Sequence, residues 1–175
     1  MVMEELLFIV DQHNKPLEPK PRSEAIVQGL WRRTSGCVIV DEHSKNVLCQ
    51  RRSDAKDERP GVWVAMFGGK SASNETAAET LARELREELG LSFADENITY
   101  YNIVKSSKRK QFEYLYTVRW SGNPADIAFD RHEVSEVAWV DINEAIRLLQ
   151  SATNWYSYGY DIEMLTLINA QTVSS

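Results

Sequence analysis

The stretch that decides the fold is residues 69–91, GKSASNETAAETLARELREELGL. Small and apolar residues recur in it at intervals of three and four, the period with which side chains return to one face of an α-helix. Ser73 or Asn74 is expected to cap the start of this helix, and Gly90 lies where a left-handed residue would end it. The predicted buried face consists of Ala78, Leu81, Ala82, Leu85 and Leu89.

Three carboxylates lie on one side of the predicted helix. Glu84, Glu87 and Glu88 stand at i, i+3 and i+4, so their side chains are within reach of one another. Hard oxygen ligands crowded in this way suit Mg²⁺ or Mn²⁺, which can also bridge to the phosphates of a substrate. A solvated acidic face on a surface helix would have the same composition, and only the joint pattern of the stretch favours a metal site.

The spacing of the stretch matches the Nudix box, in which a glycine is followed at fixed intervals by a glutamate, an Arg-Glu pair, a Glu-Glu pair and a closing glycine. Every defined position is filled, so the chain resembles the Nudix superfamily. The resemblance implies an α/β/α sandwich, with a mixed sheet between helices, and a single domain over residues 1–175 in which 1–30 form an N-terminal hairpin and helix extension. It also implies hydrolysis of a diphosphate linkage by water with the help of a divalent metal.

The resemblance assigns a role to each residue of the box. Glu87 and Glu88 would be the principal ligands of Mg²⁺, with Mn²⁺ as an alternative, and Glu84 would be a further ligand or the general base. Gly69 or Gly68 would lend a backbone carbonyl to the metal. Three residues are expected to be structural rather than to take part in the chemistry: Glu75 and Arg83 would pair to brace the loop against the helix, and Gly90 would end the helix.

A narrower resemblance extends beyond the box. Residues 4–36 and 51–63 are similar to the branch that includes type I isopentenyl-diphosphate isomerase and its hydrolase-like bacterial relatives. In the isomerase a cysteine and a metal-binding histidine follow the second of these segments, whereas this chain has Gly68 and Lys70 there. Without them the isomerase chemistry lacks its acid and its metal cage, so we expect hydrolysis. An isomerase of allylic diphosphates and a non-catalytic ligand-binding Nudix domain are the alternatives.

Residues outside the box are expected to complete the site. Arg52 and Lys56 lie on a basic loop whose counterpart in the isomerase holds phosphate, although a surface cluster of paired charges is an equal interpretation. Glu113 matches an isomerase metal ligand. Glu133 lies in a loop where many Nudix hydrolases place a metal-binding or base glutamate. We expect Glu133 to act in catalysis and Glu113 to line the metal site.

Composition limits the class of partner. The 175 residues are 43% hydrophobic and 26% charged, which suits one globular domain. A net charge of −6 disfavours a nucleic-acid polymer or an anionic membrane as partner, so a small-molecule diphosphate is expected. Two cysteines, an acidic N-terminus and the lack of a long apolar run predict a cytoplasmic protein. Residues 1–30 could also form a homodimer contact.

The other elements follow from alternation and turn residues. Aromatic residues crowd the loop 155–160, where they could stack on a base, although packing in a core or an interface is the more common use. The predicted strands are 31–40, 46–51, 62–67 ended by Gly68-Gly69, 98–104, 111–120 and 136–140, and Asp141 is expected to cap a helix after the last of them.

Overall fold

The computed structural model of the protein describes residues 4–41 and 43–172, and this part of the chain contains nine strands and four α-helices. Two single-turn 3-10 helices, Asp95–Asn97 and Pro124–Asp126, lie in the connections. In chain order the elements are β1 Leu6–Leu7, β2 Lys20–Pro21, α1 Arg22–Val27, β3 Arg32–Asp41, β4 Asn46–Arg52, β5 Trp63–Val64, β6 Phe67–Lys70, α2 Ala77–Leu89, β7 Ile98–Ser106, β8 Gln111–Arg119, β9 Val134–Asp141, α3 Ile142–Ser151 and α4 Tyr160–Thr172.

The strands form a two-stranded and a seven-stranded sheet. The small sheet pairs β1 with β2, and the large one has the order β5-β4-β3-β8-β7, with β6 on β3 and β9 on β4. The predicted hairpin of β3 and β4 is confirmed, since the two strands pair antiparallel with Val40 opposite Val47. The predicted mixed α/β class is confirmed as well. Within the described ranges, no helix has the length and apolar character needed to cross a membrane.

The chain divides into two compact units. The first consists of residues 1–37, 68–84 and 100–116, and the second of residues 38–67, 85–99 and 117–175. In the first unit, Leu7, Ile9 and Ala25 pack together as a small buried cluster within the N-terminal segment. In the second unit the central strand β4 is buried by pairing with β9 along its whole length, from Asn46 opposite Asp141 to Arg52 opposite Val134. The predicted single domain stays a prediction.

The start of α2 differs from the prediction. The cap is Thr76, not Ser73 or Asn74: Thr76 Oγ1 accepts from the Glu79 N–H at 3.2 Å, and a Glu79 carboxylate oxygen accepts from the Thr76 N–H at 2.8 Å. This is a capping box, which satisfies two N–H groups at once. Ser73 and Asn74 lie too early in the chain to cap this helix, because α2 begins at Ala77. Gly90 ends α2 as predicted, with φ of +65°.

The predicted strand 62–67 is wrong in its extent. It is interrupted after Val64 and resumes at Phe67, so that Gly68 and Gly69 lie inside β6 rather than after a strand. The buried Gln50 side chain donates to the Met66 carbonyl at 2.8 Å, which satisfies a backbone group left without a strand partner. The break therefore coincides with a side-chain contact from β4.

Candidate functional site

The three box carboxylates on helix α2 differ in their exposure to solvent. The buried side of the helix includes Leu81, Leu85 and Leu89, each at most 1% exposed, whereas Ala78, predicted on the same face, is exposed in the first turn of the helix. Glu87 is exposed and Glu84 is intermediate, whereas Glu88 is only 8% exposed. Removing a carboxylate from water is costly unless hydrogen bonds or a positive charge compensate it. The three carboxylates therefore differ in their access to water, and Glu88 is the most enclosed of them.

In the first unit, the backbone of β6 runs directly beside the Glu84 carboxylate. A Cβ atom added at Gly69 would lie 2.2 Å from Glu84 Oε1 and 2.5 Å from Oε2. Gly68 is equally crowded, but by backbone: its φ is +135°, and a Cβ atom would lie 2.1 Å from the Ser35 carbonyl oxygen. Glycine at both positions lets the strand approach closely. The Gly69 backbone and the Glu84 carboxylate are thus direct neighbours.

Arg83 joins the loop before α2 to the helix. Its guanidinium donates to both carboxylate oxygens of Glu75, at 2.7 and 3.1 Å, and to the Lys70 carbonyl at 3.0 Å. It also donates to Glu84 Oε1 at 3.0 Å. Burial opposes ionisation of Glu75, but hydrogen bonds from Arg83 and the Ala72 N–H outweigh it and lower the pKa of Glu75. The hydrogen bond to Glu75 in turn raises the pKa of Arg83.

The donor set fits Mg²⁺ in its chemistry. Its members are carboxylate and backbone carbonyl oxygens, the ligands that Mg²⁺ prefers. Among residues 4–41 and 43–172, no three His, Cys, Asp or Glu side chains are already arranged as a cage around a metal ion. The assignment of Gly69, Glu84, Glu87 and Glu88 as ligands stays a prediction.

In the second unit, the two predicted phosphate-binding residues, Arg52 and Lys56, form polar contacts with other residues of the same unit. Arg52 donates from Nε and Nη2 to the Glu58 carbonyl at 3.1 and 2.8 Å, which closes the loop between them. Lys56, inside that loop, forms an ion pair with Glu133. The structure therefore brings together Lys56, a predicted phosphate-binding residue, and Glu133, the predicted catalytic glutamate.

The turn that carries Glu133 is attached to the end of α2. The Asp130 N–H donates to the Glu88 carbonyl at 3.1 Å, and the Asp130 carbonyl accepts from the Glu133 N–H at 3.0 Å. The Asp130 carboxylate also accepts from the His132 N–H at 2.8 Å, a local Asx turn. Sequence reasoning missed Asp130, although an aspartate two residues before His132 in a polar loop is a recognisable turn signal. The second candidate acid, Glu113, lies on β8 in the first unit, 3.7 Å from Arg109.

The aromatic loop packs against its own unit. Trp155 stacks on Trp63 with ring centroids 5.6 Å apart. The Arg59 guanidinium lies 3.9 Å from the ring centroid of Tyr156 and donates to its hydroxyl at 3.1 Å. These contacts are the packing use that the sequence favours. They also hold Arg59, whose φ is +52°, in a left-handed conformation that non-glycine residues rarely adopt.

Comparisons with known proteins agree with the fold and the box. The family model described as "NUDIX domain" matches residues 30–160. The uncharacterized Nudix hydrolase YfcD of Salmonella typhi is 30% identical over 143 residues, which cover 80% of this chain and 74% of that protein. Isopentenyl-diphosphate Delta-isomerase 2 of Photorhabdus laumondii is 23% identical and matches over 89% of this chain and 88% of its own length. The crystal structure of DR0079 from Deinococcus radiodurans has a TM-score of 0.70 at 19% identity, covering 95% of this chain and 98% of that one.

Proposed function

Because the chain belongs to the NUDIX domain family, whose enzymes act on diphosphate bonds, we propose that it is a Mg²⁺-dependent hydrolase of a small organic diphosphate, such as a nucleoside diphosphate derivative. The observation that carries the proposal is a complete set of box carboxylates on one helix, with Glu84 against the glycine backbone of β6. A non-catalytic binding domain would not need all of these carboxylates.

The proposed roles follow the position of each residue. Glu87 and Glu88 would be the principal ligands, Glu84 a further ligand or the general base, and the Gly69 carbonyl an additional oxygen donor. When bound, Mg²⁺ would neutralise phosphate charge and make the phosphorus more open to attack by water. Glu75 acts through Arg83, since the guanidinium that it holds also contacts Glu84.

The proposed catalytic glutamate beyond the box is Glu133. Its carboxylate would accept a proton from the attacking water, and Glu84 would then serve as the further metal ligand. The support for Glu133 is the connection of its turn to the Glu88 carbonyl through Asp130, because that contact places the loop at the end of the box helix. Glu113, partly buried on a strand, suits a fixed role in lining the metal site. Arg52 and Lys56 would supply positive charge to the diphosphate, and Arg52 would also hold the loop closed.

The Gly68 backbone argues against the isomerase alternative, because the isomerase has its cysteine at this position. The Gly68 backbone has no room for a side chain, since even a Cβ atom would lie 2.1 Å from the Ser35 carbonyl oxygen. A cysteine could not be placed there without moving the backbone. Cys49 does not replace the missing thiol, because it is fully buried, and burial together with the nearby Asp161 carboxylate raises its pKa.

Self-association and location belong to the same proposal. The exposed apolar side chains Leu17, Ile26 and Val27 support a homodimer contact through residues 1–30, since exposed apolar surface favours protein contacts. A cytoplasmic location agrees with a substrate of the nucleotide class.

The test is product analysis with a panel of nucleoside diphosphate derivatives and isopentenyl diphosphate, with Mg²⁺ and with a chelator. We expect cleavage of a diphosphate linkage in the nucleotide panel only when Mg²⁺ is present. Conversion of isopentenyl diphosphate to its allylic isomer without phosphate release would establish the isomerase instead. Saturable binding without turnover of any compound would establish a ligand-binding domain.

A further inference from the structure

The ion pair between Lys56 and Glu133 joins two residues whose proposed roles exclude each other while they are paired. Lys56 is proposed to contact the diphosphate, and Glu133 is proposed to accept a proton from the attacking water. In the pair, the ammonium group faces a carboxylate instead of phosphate, and the carboxylate faces an ammonium instead of water. The side chains are 24% and 38% exposed, so both are reachable from solvent.

The backbone on both sides of the pair is held by hydrogen bonds. The Ser53 N–H donates to the Glu133 carbonyl at 3.0 Å, and the Lys56 N–H donates to the Ser53 carbonyl at 3.2 Å. Arg52 closes the loop around Lys56 through its contacts with Glu58. The Glu133 turn is held in the same way through Asp130. Separation of the pair therefore requires only rotation of two side chains and no rearrangement of the loops.

From this arrangement we propose that the Lys56–Glu133 pair is a substrate-operated latch, in which an arriving diphosphate takes the Lys56 ammonium group and thereby releases the Glu133 carboxylate. The inference rests on the proposed function, because it requires a diphosphate to bind at this loop. A diphosphate carries more negative charge than a carboxylate and presents several acceptor oxygens. A partly exposed ion pair is weak, so exchange of its partner is accessible without loss of the fold.

The latch also explains how an acidic residue can lie next to a lysine that binds an anion. An unpaired Glu133 would repel the diphosphate as it approached. Paired with Lys56, its charge is neutralised until the phosphate itself is close. Lys56 is then a positioning residue for Glu133 as well as a phosphate contact.

The test is a double-mutant cycle on the binding of imidodiphosphate, a non-hydrolysable diphosphate, measured by titration calorimetry with Mg²⁺. Glu133→Gln should tighten binding about 2- to 5-fold, the factor that corresponds to the energy of a partly exposed ion pair. The reason is that the Glu133 carboxylate no longer competes with the diphosphate for the Lys56 ammonium group. Lys56→Met should weaken binding, and adding Glu133→Gln to it should tighten binding less than the same change does with Lys56 present, because only general repulsion is then relieved. Lys56→Arg, which keeps the charge, should restore the tightening by Glu133→Gln.

A matched control is the Glu144–Arg147 pair on α3, which lies 2.5 Å apart and belongs to no proposed contact with substrate. Glu144→Gln should leave the affinity for imidodiphosphate unchanged. If Glu133→Gln tightens binding equally with and without Lys56, the effect is general electrostatics and the latch is refuted. Absence of tightening also refutes it. If the unmodified protein does not bind imidodiphosphate, the proposed diphosphate specificity fails together with the latch.

Discussion

Replacement of the two glycines of β6 by alanine should separate a defect in the site from a defect in the fold. At Gly69 the atoms nearest an added methyl group are the terminal atoms of Glu84, at 2.2 to 2.5 Å. A flexible side chain can move away, so Gly69→Ala should displace the carboxylate and leave the backbone in place. At Gly68 the nearest atoms are backbone, the Ser35 carbonyl oxygen at 2.1 Å and the Gly36 Cα at 2.8 Å, and the φ of +135° disfavours any side chain.

The magnitudes differ accordingly. Gly69→Ala breaks the partly buried hydrogen bond between Glu84 and Arg83, which costs about 1–2 kcal/mol. For a chain of this length that lowers Tm by about 2–8 °C. Gly68→Ala combines overpacking with backbone strain and should cost about 2–6 kcal/mol. In activity the order reverses for protein that stays folded: displacement of Glu84 by an ångström or more should lower kcat about 100-fold.

The assays are thermal unfolding and turnover as a function of Mg²⁺ concentration. We expect Gly69→Ala to stay folded, with kcat reduced and half-saturation by Mg²⁺ shifted upward. An unchanged kcat and Mg²⁺ requirement would show that the carboxylate beside β6 has no part in the site. A loss of stability in Gly69→Ala as large as in Gly68→Ala would refute the distinction between side-chain and backbone crowding.

Three further predictions concern the acidic residues beyond the box, the basic residues of the loop, and the bracing residue Glu75. Glu133→Gln should lower kcat while Mg²⁺ affinity stays intact, whereas Glu113→Gln should weaken Mg²⁺ binding; the opposite outcome in kinetic and metal titrations would exchange their roles. Arg52→Ala and Lys56→Ala should each raise KM more than they lower kcat, and an unchanged KM in steady-state assays would leave only the surface-charge interpretation. Because the folded-state pKa of Glu75 is lowered, its contribution to stability is present above the unfolded pKa and is lost as pH falls through the folded value. Urea unfolding of Glu75→Gln should therefore show a deficit at pH 7 that shrinks in acid; a constant deficit would contradict the assigned ionisation.

Features that depend on near neighbours in the sequence were predictable. The leucines of the apolar face of α2 follow from helical periodicity, although the same period wrongly included the exposed Ala78, and Gly90 follows from the conformational freedom that a helix end requires. The cap was missed although its signal was present, since Thr76 and Glu79 have the spacing of a capping box. Ser73 and Asn74 looked equally suitable because both are residue types that commonly cap helices.

Contacts between distant segments were not predictable from the sequence. Between β5 and β6 the Met66 carbonyl accepts a hydrogen bond from the Gln50 side chain, which belongs to another strand. Lys56 and Glu133 are 77 residues apart, and nothing in either loop indicates that they pair. The types of the candidate site residues could be read from the motif, but the partners that hold them depend on how the loops pack.

The central claim, that the carboxylates of α2 bind the metal that supports hydrolysis, is tested most directly by Mg²⁺ titration of turnover in Glu87→Gln and Glu88→Gln. Glu163→Gln, an exposed acid on α4, is a control for the loss of one negative charge. We expect both box variants to fold, to lose most of their turnover and to require more Mg²⁺, while the control behaves as the unmodified protein. Full activity of both box variants at low Mg²⁺ would contradict the claim.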